Sequence, residues 1–261
     1  MNLNDYYLVR AFSCFEYREG FNTGNNVYLR SASSLWEREN AFQQDKEGMV
    51  FEQSGKGFLI AAKPEFKNIV LESSSVEEIL QRAAKENMGQ VLCETSNFNF
   101  KLDGYLCCFY LLPKSNVKFT QTTLSITTEE ARKDIAFFLE QYLNESDTHD
   151  FYVSIYDAVT FCNIFLRGMY DKGYQFSYGS VKYKDIDMME RIRLFQNGDY
   201  NSIIFTKSTK YSYQKEFRIF LAKPNEQIQD HISESGIDIF NSILGSFCYN
   251  DILKQIGEQN G

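Results

Sequence analysis

The sequence predicts an α+β fold built on a strongly curved or split antiparallel β-sheet with peripheral helices. Strand-like segments, either apolar or alternating, recur along the chain and are separated by turn-forming residues. Segments with the apolar spacing of amphipathic helices lie between them. No internal repeat, low-complexity tract or linker interrupts the chain, so we expect a single domain over residues 1–261.

The predicted strands share a two-residue alternation or a short apolar run. They cover residues 6–13, 27–31, 49–52, 58–62, 104–112, 151–156, 178–184, 202–207 and 217–221. The segment 104–112 is apolar throughout, which is typical of a strand buried on both faces. Cys107 and Cys108 are adjacent in it, so they should point to opposite faces of the sheet.

The predicted helices have a capping residue or an apolar stripe. They cover residues 33–44, 75–87, 127–144, 158–170 and 186–196, while 14–26 forms a turn or a short helix. The first half of 158–170 is also compatible with a strand. The clearest is 127–144, which Thr127 or Thr128 can cap. We expect a helical C-terminal tail, from about residue 225 to 261, with one or two short helices.

Composition disfavours several classes of function. The net charge is −8, which disfavours tight non-specific binding of nucleic acid but is compatible with a local basic groove. With two His and no C-x-x-C pair among six Cys, no metal is expected. No segment has the length of a membrane span or the form of a signal peptide, so we expect a cytoplasmic protein without membrane contact.

The last predicted strand, with the residues just before it, carries an unusual group of polar side chains. At a two-residue period, Gln214, Glu216 and Arg218 share one face. The other face is apolar and should pack on the core: Phe217, Ile219 and Leu221. Periodicity alone is typical of the solvent-facing side of an antiparallel sheet, with Glu216 and Arg218 as a surface ion pair.

The order of three elements resembles the ADP-ribosyltransferases of the Arg-Ser-Glu type. Arg10 lies on the first predicted strand, Ser31-Ala32-Ser33 follows the second, and Gln214-Lys215-Glu216 lies late in the chain. The resemblance implies an ADP-ribosyltransferase-like fold, with NAD as substrate. By this resemblance Glu216 would stabilise an oxocarbenium-like state of the ribose, and Gln214 would position the acceptor nucleophile.

The resemblance also implies binding residues. Arg10 would hold a phosphate or ribose of NAD through its fork of donors. Ser31 or Ser33 would support Glu216 or the nicotinamide end. The target would meet an aromatic and basic surface formed by Tyr211, Tyr213 and Arg218.

A second resemblance covers more of the chain. Its motifs are V-Y-L-R-S, W-E-R-E and D-K-E-G early, G-Y-L-C-C-F-Y in the middle and Y-x-x-Q-x-E-x-R late. They are similar to an uncharacterised bacterial family associated with mobile elements and phage-defence loci. The main hypothesis is therefore an intracellular toxin or phage-defence effector that transfers ADP-ribose to RNA, DNA or protein. An antitoxin or chaperone partner is compatible with it. The alternatives are a NAD glycohydrolase and a non-enzymatic binding or scaffold protein of a defence system.

Overall fold

The computed structural model describes residues 1–32, 57–60, 69–72, 93–96, 104–119, 124–145, 151–185, 194, 197–249 and 251. The chain divides into two compact units. Unit 1 comprises Met1–Leu35, Asp103–Lys184 and Phe205–Gly261, and unit 2 comprises Trp36–Leu102 and Asp185–Ile204. The single domain expected over 1–261 stays a prediction. The predicted strand 49–52 and the predicted helices 33–44 and 75–87 lie outside the described residues, as does most of 186–196.

The strands and helices of unit 1 are short, and strands predominate. The strands are β1 (Tyr6–Phe12), β2 (Val27–Ser31), β6 (Tyr105–Pro113), β7 (Val117–Phe119), β8 (Leu124–Ile126), β9 (Tyr152–Asp157), β10 (Gln175–Ser180), β11 (Lys182–Tyr183), β12 (Thr206–Lys207), β13 (Glu216–Ala222), β14 (His231–Glu234) and β15 (Ile243–Cys248). The helices are α1 (Phe15–Asn22), α2 (Glu129–Glu145) and α3 (Ala158–Asp171). The described residues of unit 1 also form four 3-10 helices: Leu3–Asp5, Lys114–Asn116, Thr209–Gln214 and Phe240–Ser242.

In unit 2 the described residues form a small antiparallel sheet and one short helix. The sheet contains β3 (Gly57–Ile60), β4 (Ile69–Glu72) and β5 (Cys93–Ser96) in the order β4-β3-β5. The helix is α4 (Tyr200–Ile204), where the sequence predicted the first half of a strand over 202–207. That half of the prediction is wrong, and only β12 is extended.

The main sheet of unit 1 is antiparallel and has the order β10-β13-β6-β1-β9-β15. β6 is its central strand because it pairs with β13 along one edge and with two strands along the other. On that second edge Tyr105 and Leu106 pair with β2, while Tyr110 to Pro113 pair with β1. The sheet therefore branches beside β6, and β14 extends the branch by pairing with β2. The predicted α+β class with a mainly antiparallel sheet is confirmed.

The sheet separates two hydrophobic cores. The first core lies under α1 and α3 and includes Cys107 and Phe109 of β6 and Phe217 of β13. The second lies under α2 and includes Tyr110 and Leu112 of the same strand β6. Alternate residues of β6 thus enter different cores, as a strand apolar on both faces requires.

Capping residues set the start of the two longer helices, and the sequence predicted the cap of α2 but not that of α3. Thr128 Oγ1 accepts a hydrogen bond from the Ala131 N–H at 3.2 Å at the start of α2. Asp157 accepts from the Thr160 N–H at 3.0 Å at the start of α3, and its other carboxylate oxygen pairs with Lys114 at 2.8 Å. Each cap satisfies a backbone donor that has no partner inside the helix.

The expected helical tail is wrong over the residues that the structure describes. Residues 231–234 and 243–248 are strands, and only Phe240–Ser242 forms a short 3-10 helix. β15 pairs along β9, and β14 pairs along β2. The backbone hydrogen bonds that these short segments form with β9 and β2 outweigh their weak local preference for helix.

Phe161 of α3 provides a test of the first core. Its ring is fully buried and lies 4.9 Å from the ring of Phe109 and 5.0 Å from that of Tyr156. We expect Phe161→Ala to lower the free energy of unfolding by about 3–5 kcal/mol, because the cavity removes these contacts. Tyr170→Ala on the same helix is the control, since Tyr170 is 69% exposed and its loss should cost less than about 0.5 kcal/mol. Denaturant titration measures both, and equal effects would contradict the described core.

Candidate functional site

Glu216 and Arg218 form a bidentate ion pair on β13. Arg218 Nε donates to Glu216 Oε1 at 2.8 Å, and Arg218 Nη2 donates to Oε2 at 3.0 Å. The sequence correctly put both side chains on one face, but this face is not solvated. Glu216 is 8% exposed and Arg218 is 4% exposed. The pair is therefore a buried ion pair and not the surface pair that periodicity alone suggested.

Three further residues, none of them predicted as site residues, complete the surroundings of Glu216. Lys207 Nζ of β12 lies 3.5 Å from Glu216 Oε2 and is itself buried. The Cys108 thiol hydrogen-bonds to the carboxylate, and the backbone N–H of Glu216 donates to the Tyr183 hydroxyl at 2.8 Å. Since β12 and β11 pair with each other, Lys207 and Tyr183 reach Glu216 from one two-stranded ribbon.

Electrostatics keeps this carboxylate charged. Burial alone would raise the pKa of Glu216, but the charges of Arg218 and Lys207 outweigh it and lower the pKa to about 2. Burial, together with the Glu216 charge, raises the pKa of the Cys108 thiol well above its ordinary value. Glu216 is thus ionised at neutral pH, and the charges of Arg218 and Lys207 already offset its own.

Gln214 does not lie on the same strand as Glu216. It is the last residue of the Thr209–Gln214 3-10 helix, and β13 begins only at Glu216. Lys215 between them has φ 40° and ψ 50°, a left-handed conformation that breaks the strand alternation. The prediction of a shared strand face for Gln214 and Glu216 is wrong for this reason. Gln214 Nε2 instead lies 3.5 Å from the Tyr213 hydroxyl.

The two tyrosines predicted to meet the target differ in accessibility. Tyr211 is buried, and the ammonium groups of Lys207 and Lys210 lie 4.8 and 4.5 Å from its ring centre. Tyr213 is half-buried and packs edge-on against Phe137 of α2, with ring centres 5.0 Å apart. Tyr211 thus serves as a packing surface for lysines, and only Tyr213 has substantial exposure.

Arg10 lies on the opposite face of the sheet from Glu216. Glu216 stands opposite Tyr110 of β6, and Tyr110 stands opposite Val9 of β1. Directly opposed residues of antiparallel strands point to the same face, so Val9 shares the face of Glu216 and Arg10 points the other way. The hypothesis that Arg10, Ser31 and Glu216 line one cleft requires all three side chains to lie on the same face of the sheet. The structure does not bring Arg10 and Glu216 together.

Arg10 is a half-buried cation among aromatic rings. Its guanidinium carbon lies 4.4 Å from the ring centre of Phe21, 5.4 Å from that of Phe12 and 5.5 Å from that of Phe109. Arg10 Nη1 donates to the Cys107 sulfur, and Arg10 has no ion pair with any carboxylate among the described residues. None of its nitrogens is both buried and without a hydrogen bond, so the other donors contact solvent.

A polar network lies next to Arg10 on the same face. Ser154 stands opposite Arg10 in the pairing of β1 with β9. The Tyr156 hydroxyl donates to Asn22 Oδ1 at 2.6 Å, and Asn22 Nδ2 donates to the Ser154 hydroxyl at 3.0 Å. All three residues of this network are buried, so the wall beside Arg10 is fixed.

Ser31 lies on the Arg10 face but is fully buried. It stands opposite Tyr105 of β6, and its backbone N–H donates to the Asp230 carbonyl at 2.8 Å. A fully buried hydroxyl is not accessible to a ligand in this conformation. Ser33 lies outside the described residues.

The described part of the chain offers no other obvious class of site. No group of three or more His, Cys, Asp or Glu side chains in it could hold a metal ion. Within these residues no helix combines the length and the apolarity that crossing a bilayer requires.

Comparisons with known proteins assign no family. The chain has no match among protein-family models, curated proteins or solved structures. The resemblance to ADP-ribosyltransferases therefore stays a prediction, as do NAD as substrate, a cytoplasmic location and a role in phage defence.

Glu216, Arg218 and Lys207 form a buried ionic cluster, and neutralising Glu216 should therefore destabilise the fold strongly. Glu216→Gln leaves Arg218 and Lys207 buried without the carboxylate, so we expect the free energy of unfolding to fall by about 3–5 kcal/mol. Glu129→Gln on the exposed side of α2 is the control and should change it by less than about 0.5 kcal/mol. Denaturant titration at neutral pH compares them. A small loss for Glu216→Gln would mean that the cluster does not stabilise the fold.

The same carboxylate predicts a pH dependence of stability. Its folded pKa of about 2 is below the ordinary 4.5, so its contribution is complete above pH 4.5 and is lost as the pH falls toward 2. The difference in unfolding free energy between the wild type and Glu216→Gln should therefore shrink across this window. Denaturant titrations at a series of acidic pH values measure it, and a constant difference would contradict the assigned ionisation.

Proposed function

We propose that this chain is a binding protein for a small anionic ligand, and that Arg10 holds the anionic group. The observation that carries this proposal is a half-buried guanidinium without a carboxylate partner among the described residues. The Cys107 thiol does not balance the charge, because burial raises its pKa to about 11 and keeps it neutral at pH 7. A cation so placed is costly unless something compensates it, and a bound anion would do so.

The surroundings of Arg10 favour a phosphate or a carboxylate. The guanidinium is planar, and its outward donors match two oxygens of such a group. The Phe21 ring covers one part of it at 4.4 Å, which limits hydration and strengthens an ionic hydrogen bond. NAD is the first ligand to test, because the sequence resemblance names it and its diphosphate has the required chemistry.

A binding role in which Glu216 takes no part in catalysis is supported better than ADP-ribosyl transfer. A carboxylate that stabilises an oxocarbenium-like state must lie close to the sugar, and other cations must not already neutralise its charge. Glu216 is buried, is offset by Arg218 and Lys207, and lies on the sheet face opposite Arg10. Among the alternatives that the sequence left open, a non-enzymatic binding protein therefore fits these positions best.

Ligand binding at Arg10 can be measured directly. NAD, ADP-ribose and inorganic phosphate are titrated into the wild type and into Arg10→Met by calorimetry. We expect at least one of them to bind the wild type, and Arg10→Met to weaken binding roughly 10- to 150-fold, because a charge-assisted hydrogen bond is lost. Arg30→Met is the matched control, since Arg30 lies on β2 and faces the other side of the sheet.

Stability separates a binding role from a structural one. Without ligand, Arg10→Met should be at least as stable as the wild type, since methionine suits an aromatic environment better than an unpaired cation. A large loss of stability would mean that Arg10 is structural. Absence of binding by all three ligands would contradict the proposed site. Release of nicotinamide from NAD by the wild type, abolished in Glu216→Gln, would instead support a transferase or glycohydrolase.

A further inference from the structure

The strand β10 forms one end of the main sheet, and among the described strands it pairs with β13 only. Its pairing is regular over the whole strand, Gln175–Ser180. The strand at the other end of the sheet, β15, has a register shift between Ile243 and Gly245, and such an irregularity disfavours pairing with a further strand. The outer edge of β10 is therefore the better place for another strand to join the sheet.

The register of the sheet shows which backbone groups of β10 point outward. The Val181 N–H donates to the Glu216 carbonyl at 2.8 Å, and these two residues form the next pair in the register of β10 and β13. Because residues of an antiparallel strand bond alternately to either side, the other odd-numbered residues of β10 also bond to β13. The N–H and C=O groups of the even-numbered Phe176 and Tyr178 therefore point away from β13.

These four outward groups have no hydrogen-bond partner among the residues that the structure describes. Further along the chain the outward side is occupied, because the Lys182 N–H donates to the Phe205 carbonyl at 2.8 Å. The side chains of Phe176 and Tyr178 are exposed. The open edge is thus a short stretch with two backbone donors, two backbone acceptors and two accessible aromatic rings.

A second copy of β10 matches this edge in both the number and the position of its groups. The two copies run antiparallel, with Phe176 of each opposite Tyr178 of the other. Each opposed pair then exchanges two backbone hydrogen bonds, so every outward group of both residues gains a partner. The same register puts an aromatic ring opposite an aromatic ring, which is a favourable cross-strand pair. β10 contains no charged residue, so no like charges meet between the two strands.

We infer that two copies of this protein associate through β10, in an antiparallel pair centred on Ser177. The pairing joins two main sheets into one continuous sheet across a two-fold axis, and the same patch of each copy forms the contact. Because only a short strand contributes on each side, the interface is small and the dimer is weak and reversible. The inference does not depend on the anion site proposed at Arg10, which lies on β1 inside the sheet.

Sedimentation equilibrium measures the association. It is run at about 0.5 M salt, where repulsion between two copies of net charge −8 is screened. The weight-average mass should rise with protein concentration from 30.4 kDa towards twice that value. Tyr178→Pro removes one outward donor from each copy and no hydrogen bond to β13, so it should weaken dimerisation roughly 10- to 100-fold.

A second substitution tests the same edge without proline. Phe176→Lys places a charge at the contact and removes the aromatic pair, so it should also weaken dimerisation. Phe240→Lys is the matched control, because it makes the same change at an exposed ring outside β10 and should leave dimerisation unchanged. Circular dichroism shows for each variant that the fold is retained.

Introduced cysteines test the register. Ser177 of one copy stands opposite Ser177 of the other in a non-hydrogen-bonded pair, whose Cα atoms are about 4.5 Å apart and within reach of a disulfide. Ser177→Cys should therefore form an intermolecular disulfide on mild oxidation, seen as a dimer on a non-reducing gel. Gln175→Cys is the matched control. It lies on the same face of β10 and is more exposed, but it stands opposite Gly179 of the other copy.

Three results would each overturn the inference. They are a mass that stays at 30.4 kDa over the whole concentration range, dimerisation that Tyr178→Pro and Phe176→Lys affect no more than Phe240→Lys does, and equal cross-linking of the two cysteine variants. The first result would leave the edge of β10 to a strand of a different protein.

Discussion

The pairing of β6 with β1 and β13 determines on which side of the sheet Arg10, Glu216 and Arg218 lie. β6 is apolar on both sides, so both of its faces must be buried, and its neighbours must match it residue by residue. Cys107 and Cys108 are consecutive, yet the first contacts Arg10 and the second contacts Glu216. A one-residue shift of β13 against β6 would turn Phe217 away from the first core, so the separation of the two sites is a condition of folding.

Arg218, which is buried, and Arg10, which is half-buried, are compensated in different ways. Arg218 has a carboxylate at hydrogen-bond distance, which repays much of the cost of removing both charges from water. Among the described residues, Arg10 contacts aromatic faces and a neutral thiol, and its other donors contact solvent. Ring faces attract a cation, but more weakly than a carboxylate does. One face of the sheet therefore holds an ion pair between Arg218 and Glu216, and the other holds Arg10 without a carboxylate partner among the described residues.

Local sequence patterns were sufficient to predict the elements with strong internal signals. β6 has its continuous apolar run, and α2 and α3 have caps and apolar stripes, so their existence follows from short-range rules. Gln214 was placed wrongly because alternation was extended through Lys215, whose left-handed backbone no periodicity reveals. The opposite facing of Arg10 and Glu216 depends on strand register across β6, and Lys207 reaches Glu216 only through tertiary pairing. Such long-range relations are absent from a local pattern.

The outer strand β10 bears on how the protein behaves in concentrated solution. Its sequence, Gln175–Ser180, contains no charged residue and no proline, and Phe176 and Tyr178 are 38% and 48% exposed. Strand edges without such residues invite edge-to-edge association between copies. The net charge of −8 opposes this association by mutual repulsion at neutral pH, and that repulsion vanishes near the isoelectric point of about 5.0. Colloidal stability of this fold thus depends on charges that lie outside the strand they protect.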